Sequence, residues 1–168
     1  MTADGDRAVV ERQLGRPPRA FLRVVRRCPF GLPAVTEQAP YDAAGEPFPT
    51  TYYLTCGHLV AAVARLESAG GVERWRARAE AEPELMASLE RATKEQRAIR
   101  RALVGDSADS DGGASLDRGI GGSVSPGRLK CLHAHVAFAL ARPGYLLGDR
   151  VLNELDPLWP ARCCSSSF

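Results

Sequence analysis

Two different periodicities divide this chain near residue 56, and that switch constrains its fold more than any other feature. Residues 20–55 hold short runs of β-branched and aromatic residues between turn signals, the mark of strands. Phe21, Val24 and Val25 mark a strand over residues 20–27, stopped by Cys28-Pro29. A second is predicted over Pro33–Gln38. A third follows at residues 50–55 (Thr-Thr-Tyr-Tyr-Leu-Thr), after a turn-rich stretch from Pro40 to Pro49. From residue 58 onward the spacing becomes helical. Residues 58–69 carry Leu59, Val63 and Leu66 on one face and end at Gly70-Gly71, a helix stop. Residues 72–82 continue as helix, and Pro83 suits the first turn of a helix that runs to Val104. Shorter helices are expected over residues 8–14, about 128–141 and 148–155. The expected class is α+β: a small antiparallel sheet of about three strands, followed by and packed against several α-helices.

At 168 residues the chain suits one domain, expected over residues 1–160. The Asp-, Ser- and Gly-rich stretch 105–117 reads as a flexible loop, and residues 161–168, with Cys163-Cys164, as a disordered tail. An apolar fraction of 45% and a charged fraction of 25% exclude a wholly disordered chain, a collagen and a dense disulfide scaffold. No run approaches the roughly 20 apolar residues of a membrane span. A net charge of +2 demands neither nucleic acid nor an anionic membrane as partner. The basic residues are nearly all Arg beside abundant Ala and Gly, as in GC-rich coding sequence, so Arg content alone says little about phosphate. The polar, acidic start, residues 1–6, lacks the pattern of a signal peptide, and the expected compartment is the cytoplasm. In that reducing setting five cysteines point to metal or reactivity before disulfides.

The chemistry concentrates where cysteine and histidine meet. All three histidines follow a cysteine within four residues: His58 in Cys56-Gly-His, and His133 and His135 in Cys131-Leu-His-Ala-His. Thiolate with imidazole favours zinc, or an iron–sulfur cluster where thiolates dominate. If the three strands form a meander, the first and third run the same way, and Cys28 and Cys56 fall at one edge of the sheet. On a helix Cys131 and His135, four apart, share a face. The expected metal ligands are therefore Cys28, Cys56, Cys131 and His135, with His133 or His58 as substitute. Two alternatives stay open: buried structural cysteines with no metal, and a cysteine nucleophile at Cys131 activated by His133 or His135.

A second candidate lies just upstream. Gly121, Gly122, Gly127, Arg128 and Lys130 form a glycine-rich approach to the helix expected from about residue 128. Close backbone approach, a helix N-terminus and two cations suit an anionic small molecule, through a phosphate or carboxylate. The spacing matches neither common phosphate-loop pattern. A possible homodimer rests on the stripe Leu85, Leu89, Ala92, Gln96, Ile99 and Leu103, which recurs at alternating steps of four and three. The bland alternative is a helix packed within the domain.

Seven stretches together resemble one family. They are Leu14-Gly-Arg-Pro-Pro-Arg19, Arg27-Cys-Pro29, Pro47-Phe-Pro-Thr50, Tyr53-Leu-Thr-Cys56, Leu66-Glu-Ser-Ala-Gly70, Gly119-Ile-Gly-Gly122 and Lys130-Cys-Leu-His-Ala-His135. The chain resembles the bacterial, chiefly actinobacterial domain-of-unknown-function family 501 over about residues 8–155. The resemblance implies a small cytoplasmic protein of unassigned activity and carries over no functional residue. Gly57 stands where that family commonly has Pro. The functional expectation is a Cys/His metal site, zinc before iron–sulfur, in a structural or regulatory role. The alternatives are a metal- or cysteine-dependent hydrolase or transferase for a phosphorylated or acidic small molecule, and a helical interaction module.

Overall fold

The computed structural model describes residues 3–104, 110–125 and 127–163. The early part of the chain forms an antiparallel meander of β1 (Phe21–Arg27), β2 (Pro33–Gln38) and β3 (Tyr52–Leu54), in the order β1-β2-β3. The register pairs Val24 with Thr36 and Val35 with Leu54. Shifts in the β1–β2 ladder kink β1. Every residue of the central strand β2 is buried. The third strand is shorter than its composition predicts: Thr50 and Thr51 fall outside it, although Thr51 still accepts the Gln38 N–H through its carbonyl.

Among the described residues six α-helices accompany this sheet: α1 (Ala3–Leu14), α2 (Gly57–Ser68), α3 (Gly71–Ala81), α4 (Pro83–Val104), α5 (Leu132–Ala141) and α6 (Leu146–Leu152). The class is α+β, as the switch in periodicity predicts. Gly70 ends α2 at φ +78°, a left-handed turn that suits glycine. The central helix is α5. Leu132, Ala134, His135, Val136, Ala137, Phe138 and Ala139 are all buried, so it is apolar around its whole circumference rather than on one stripe. It packs on β3 on one side and on α6 on another. Tyr52 of β3 meets Phe138 edge-on with centroids 5.6 Å apart, and Tyr145 meets the same ring at 5.6 Å. Trp75, fully buried, anchors α3 in the same core.

The two helices α5 and α6 approach so closely because residue 148 is Gly. A Cβ there would stand 2.5 Å from the Tyr145 ring and 2.7 Å from the Ala139 Cβ. Gly148→Ala is expected to destabilise the domain by about 1–3 kcal/mol, the usual cost of overpacking a rigid interior. Urea unfolding of the variant measures it; an unchanged midpoint would show that the α5–α6 contact yields freely.

Much of the α4 stripe is used within the chain. Leu85, Leu89, Ala92 and Gln96 are each no more than 4% exposed. Residues 105–109 of the expected loop, Pro126, and residues 164–168 of the expected tail, Cys164 among them, lie outside the described residues. Downstream of residue 109, Asp111 accepts hydrogen bonds from the Tyr41 hydroxyl and from the backbone N–H groups of Gly113 and Ser115. No described helix is long and apolar enough to cross a membrane.

Candidate metal centre

Among the described residues, one group of metal-ligating side chains converges: Glu67, Cys131 and His133, whose ligand atoms lie within 4.8 Å of one another. Two helices build it. Cys131 is the N-cap of α5, in extended conformation at φ −157° and ψ 133°, and His133 sits one residue into the first turn. Glu67 projects from the last turn of α2. The first turn of α5 contains no acidic residue, so Glu67 supplies from another helix the negative charge that a helix N-terminus favours. Its Oε1 accepts a hydrogen bond from the Leu132 N–H at 2.5 Å. Its Oε2 lies 3.2 Å from His133 Nδ1.

The far side of the imidazole is also held. His133 Nε2 lies 3.2 Å from the Val60 carbonyl oxygen, seven residues before Glu67 on the same face of α2. A carbonyl can only accept, so Nε2 carries the hydrogen and donates. Nδ1 is thereby left to face the Glu67 carboxylate and the Cys131 thiol. With no metal present, a proton on Nδ1 reconciles these acceptors. The hydrogen bond with Cys131 is the largest reason, and negative charge on Glu67 and Cys131 adds to it against partial burial; the His133 pKa is raised to about 9.

The geometry suits a small divalent ion. Two ligand atoms about 2.0–2.1 Å from a tetrahedral zinc are separated by about 3.3 Å, close to the Nδ1–Oε2 spacing of 3.2 Å. The Val60 carbonyl would orient the imidazole, as partners behind metal-bound histidines commonly do. Cys131 and His133 also line a cavity of about 360 Å³, together with Tyr52, Tyr53, Leu54 and Val60. This is within the size range of small-molecule sites, and its walls are largely apolar.

The expected four-ligand set does not assemble. Among the described residues no group of three converging ligand atoms includes Cys28, Cys56 or His135. Cys28 and Cys56 do follow β1 and β3 at one edge of the sheet, as a meander requires. However, β2 lies between those strands, and two strand spacings amount to about 10 Å, too far for ligands of one zinc. Both cysteines are buried in the core, and neither they nor Cys131 and Cys163 are in disulfides. The helical pairing of Cys131 with His135 fails because α5 begins at Leu132, leaving Cys131 extended before the helix. His135 points inward with no solvent exposure, and its Nδ1 shares a 2.8 Å hydrogen bond with the Tyr145 hydroxyl. Burial lowers its pKa to about 4, so the ring is neutral. His58 turns away to the Pro157 carbonyl, 3.0 Å from its Nε2. Glu67 was not among the expected ligands: in Leu66-Glu-Ser-Ala-Gly70 it reads as an ordinary polar residue near a helix end, and only a distant helix start gives it a partner.

The anion-site candidates fall on two neighbouring surfaces. Gly122, Arg128 and Lys130 line a second cavity of about 260 Å³ with Arg76. Gly121 lines the cavity beside Cys131 instead. Both glycines are left-handed, at φ +68° and +76°. The helix expected from about residue 128 begins four residues later, and its first N–H is taken by Glu67. Formal charge, and not a helix N-terminus, therefore supplies any attraction for an anion there.

None of the curated proteins and none of the solved structures compared with the chain matches it. The profile of one family does, over residues 24–153, a span that begins within β1 and takes in the rest of the sheet, α2 to α6 and all three converging residues. That family is described as "Protein of unknown function (DUF501)", and this chain belongs to it.

Proposed function

We propose that Glu67, Cys131 and His133 bind one zinc ion, with a fourth coordination position open to the adjoining cavity. The observation that carries this reading is the convergence of thiol, imidazole and carboxylate, the first two lining that cavity, with the imidazole fixed from behind by Val60. One thiolate among three ligands suits zinc and not an iron–sulfur cluster, which is held mostly by cysteines. Three protein ligands with an open position characterise catalytic zinc, and four characterise structural zinc. The reading is thus a zinc-dependent hydrolase or transferase of a small molecule. A bound zinc would supply Lewis acidity and an activated water. The chain's own residues hold the ion, and the Tyr52, Tyr53 and Leu54 side of the cavity offers an apolar wall to the substrate.

Zinc titration of tag-free, chelator-stripped protein against a chromogenic chelator tests this. One equivalent is expected to bind, with Cys131→Ser weakening affinity by about 100-fold or more, since the anionic ligand is lost. Cys28→Ala and Cys56→Ala are expected to leave the affinity unchanged. A chain that takes up no zinc, or one in which Cys131→Ser binds as tightly, overturns the site.

A second reading rests on the juxtaposition of Cys131 and His133, whose ligand atoms lie within 4.8 Å of each other. Without metal, the same three residues form a cysteine–histidine pair oriented by a carboxylate, a grouping that can activate a nucleophilic thiol. Rapid, selective alkylation of Cys131 by iodoacetamide in a chain that takes up no zinc would favour it.

A further inference from the structure

The cavity beside the zinc candidate has a neighbour of different character. Arg76 of α3, Arg128 and Lys130 line it, and no acidic residue does. Arg128 and Lys130 are exposed and have no ion-pair partner among the described residues. Arg76 is tethered at the wall, its Nη2 donating to the Leu129 carbonyl at 3.4 Å, and it too has no carboxylate partner there. Eight of the twenty arginines pair with an Asp or Glu among the described residues, and the arginines of this pocket are not among them. Three unneutralised cations around one concavity make a local field that attracts an anion. Two guanidinium forks and an ammonium match the oxygens of a phosphate in particular.

At two places the two cavities are lined by residues consecutive in the chain. Gly121 lines the one and Gly122 the other; Cys131 lines the one and Lys130 the other. Consecutive Cα atoms are about 3.8 Å apart, which sets Lys130 of the cationic pocket next to the candidate ligand Cys131 along the chain. The wall has no bulk to spare at the turn. A Cβ on Gly122 would stand 3.0 Å from the Pro49 Cβ, and one on Gly121 3.2 Å from the Ala134 Cβ. At both positions glycine also satisfies a positive φ.

We infer that this chain binds a phosphorylated small molecule, its phosphate among Arg76, Arg128 and Lys130 and its remaining, apolar part over the Gly121-Gly122 turn in the cavity beside Cys131. This deepens the zinc reading by naming the substrate class, and rests on it only for which end of the molecule reacts.

Calorimetric titration of the metal-free full chain with inorganic phosphate and with phenyl phosphate tests it. Phenyl phosphate is expected to bind about tenfold more tightly than inorganic phosphate, through burial of its ring in the cavity beside Cys131. Arg128→Gln/Lys130→Gln, and separately Arg76→Gln, are expected to weaken both ligands by about tenfold or more, as loss of charge-assisted hydrogen bonds does. Arg128 and Lys130 are exposed and Arg76 is half-buried, and circular dichroism checks that the variants stay folded. Failure to saturate with either ligand, or indifference to the charge variants, overturns the anion pocket. Equal affinity for the two ligands overturns the extension toward Cys131. Because the protein is metal-free, a failed zinc titration leaves these outcomes standing, and the two readings fail separately.

Discussion

Glu67→Gln is expected to lower zinc affinity by about 100-fold while leaving the domain nearly as stable as before. The two oxygens of this carboxylate have separable duties. Oε1 accepts the Leu132 N–H and so satisfies one of the unpaired donors at the start of α5. Oε2 faces His133 Nδ1 and is the atom available to an ion. An amide keeps an oxygen for the helix start but loses the negative charge that makes a carboxylate a strong zinc ligand. Glu67→Ala removes both, and is expected to cost about 1 kcal/mol more in stability, as lost N-terminal caps do. Zinc competition and urea unfolding of the two variants, run side by side, separate the effects. Equal zinc affinity for the wild type and the Gln variant would mean that the carboxylate only caps a helix. In the metal-free protein the Gln variant should also lower the His133 pKa, because one of the charges that holds its proton is gone; the ring proton shifts report it by NMR.

Acid should weaken the fold through a different histidine. His135 has no solvent exposure and its pKa is lowered by burial to about 4, against 6.5 for an unburied ring. The folded state therefore keeps the ring neutral where the unfolded chain would protonate it. A lowered folded pKa contributes stability that is present above about pH 6.5 and is lost as pH falls toward 4. The full shift corresponds to about 3 kcal/mol, a large part of a domain's net stability. His133, raised to about 9, gives a slope of opposite sign through pH 6.5 and falls silent only below about pH 5.5, where it is protonated in both states. Unfolding free energies of metal-free protein between about pH 5.5 and 4 measure the His135 slope. His135→Gln, which cannot titrate, is expected to flatten it even if it lowers stability throughout. A slope that survives the substitution would assign the acid sensitivity to other groups.

Legibility differed between the sheet and the site for physical reasons. Strands and helices are local: β-branched runs, helical spacing, Gly70-Gly71 and Pro83 each act within a few residues, and β2 and α4 fall at their predicted bounds. The start of α5 was displaced because residues 128–131 read as helix by composition, while the partner that ends the extended segment, Glu67, lies 65 residues away. The same displacement exchanged one histidine for another. Spacing four from Cys131 favours His135 on a continuous helix; with Cys131 extended before the helix, His133 comes alongside it and His135 turns into the core.

From its sequence alone this chain is an α+β domain of the matched family, with its chemistry gathered in Cys-Leu-His-Ala-His, because hydrophobic periodicity, turn residues and residue type are properties of neighbours along the chain. Only the tertiary structure decided which cysteine and which histidine meet, and that a glutamate joins them. Those choices depend on how α2 crosses α5 and on a strand that keeps Cys28 from Cys56, distances set by packing between segments far apart in the chain.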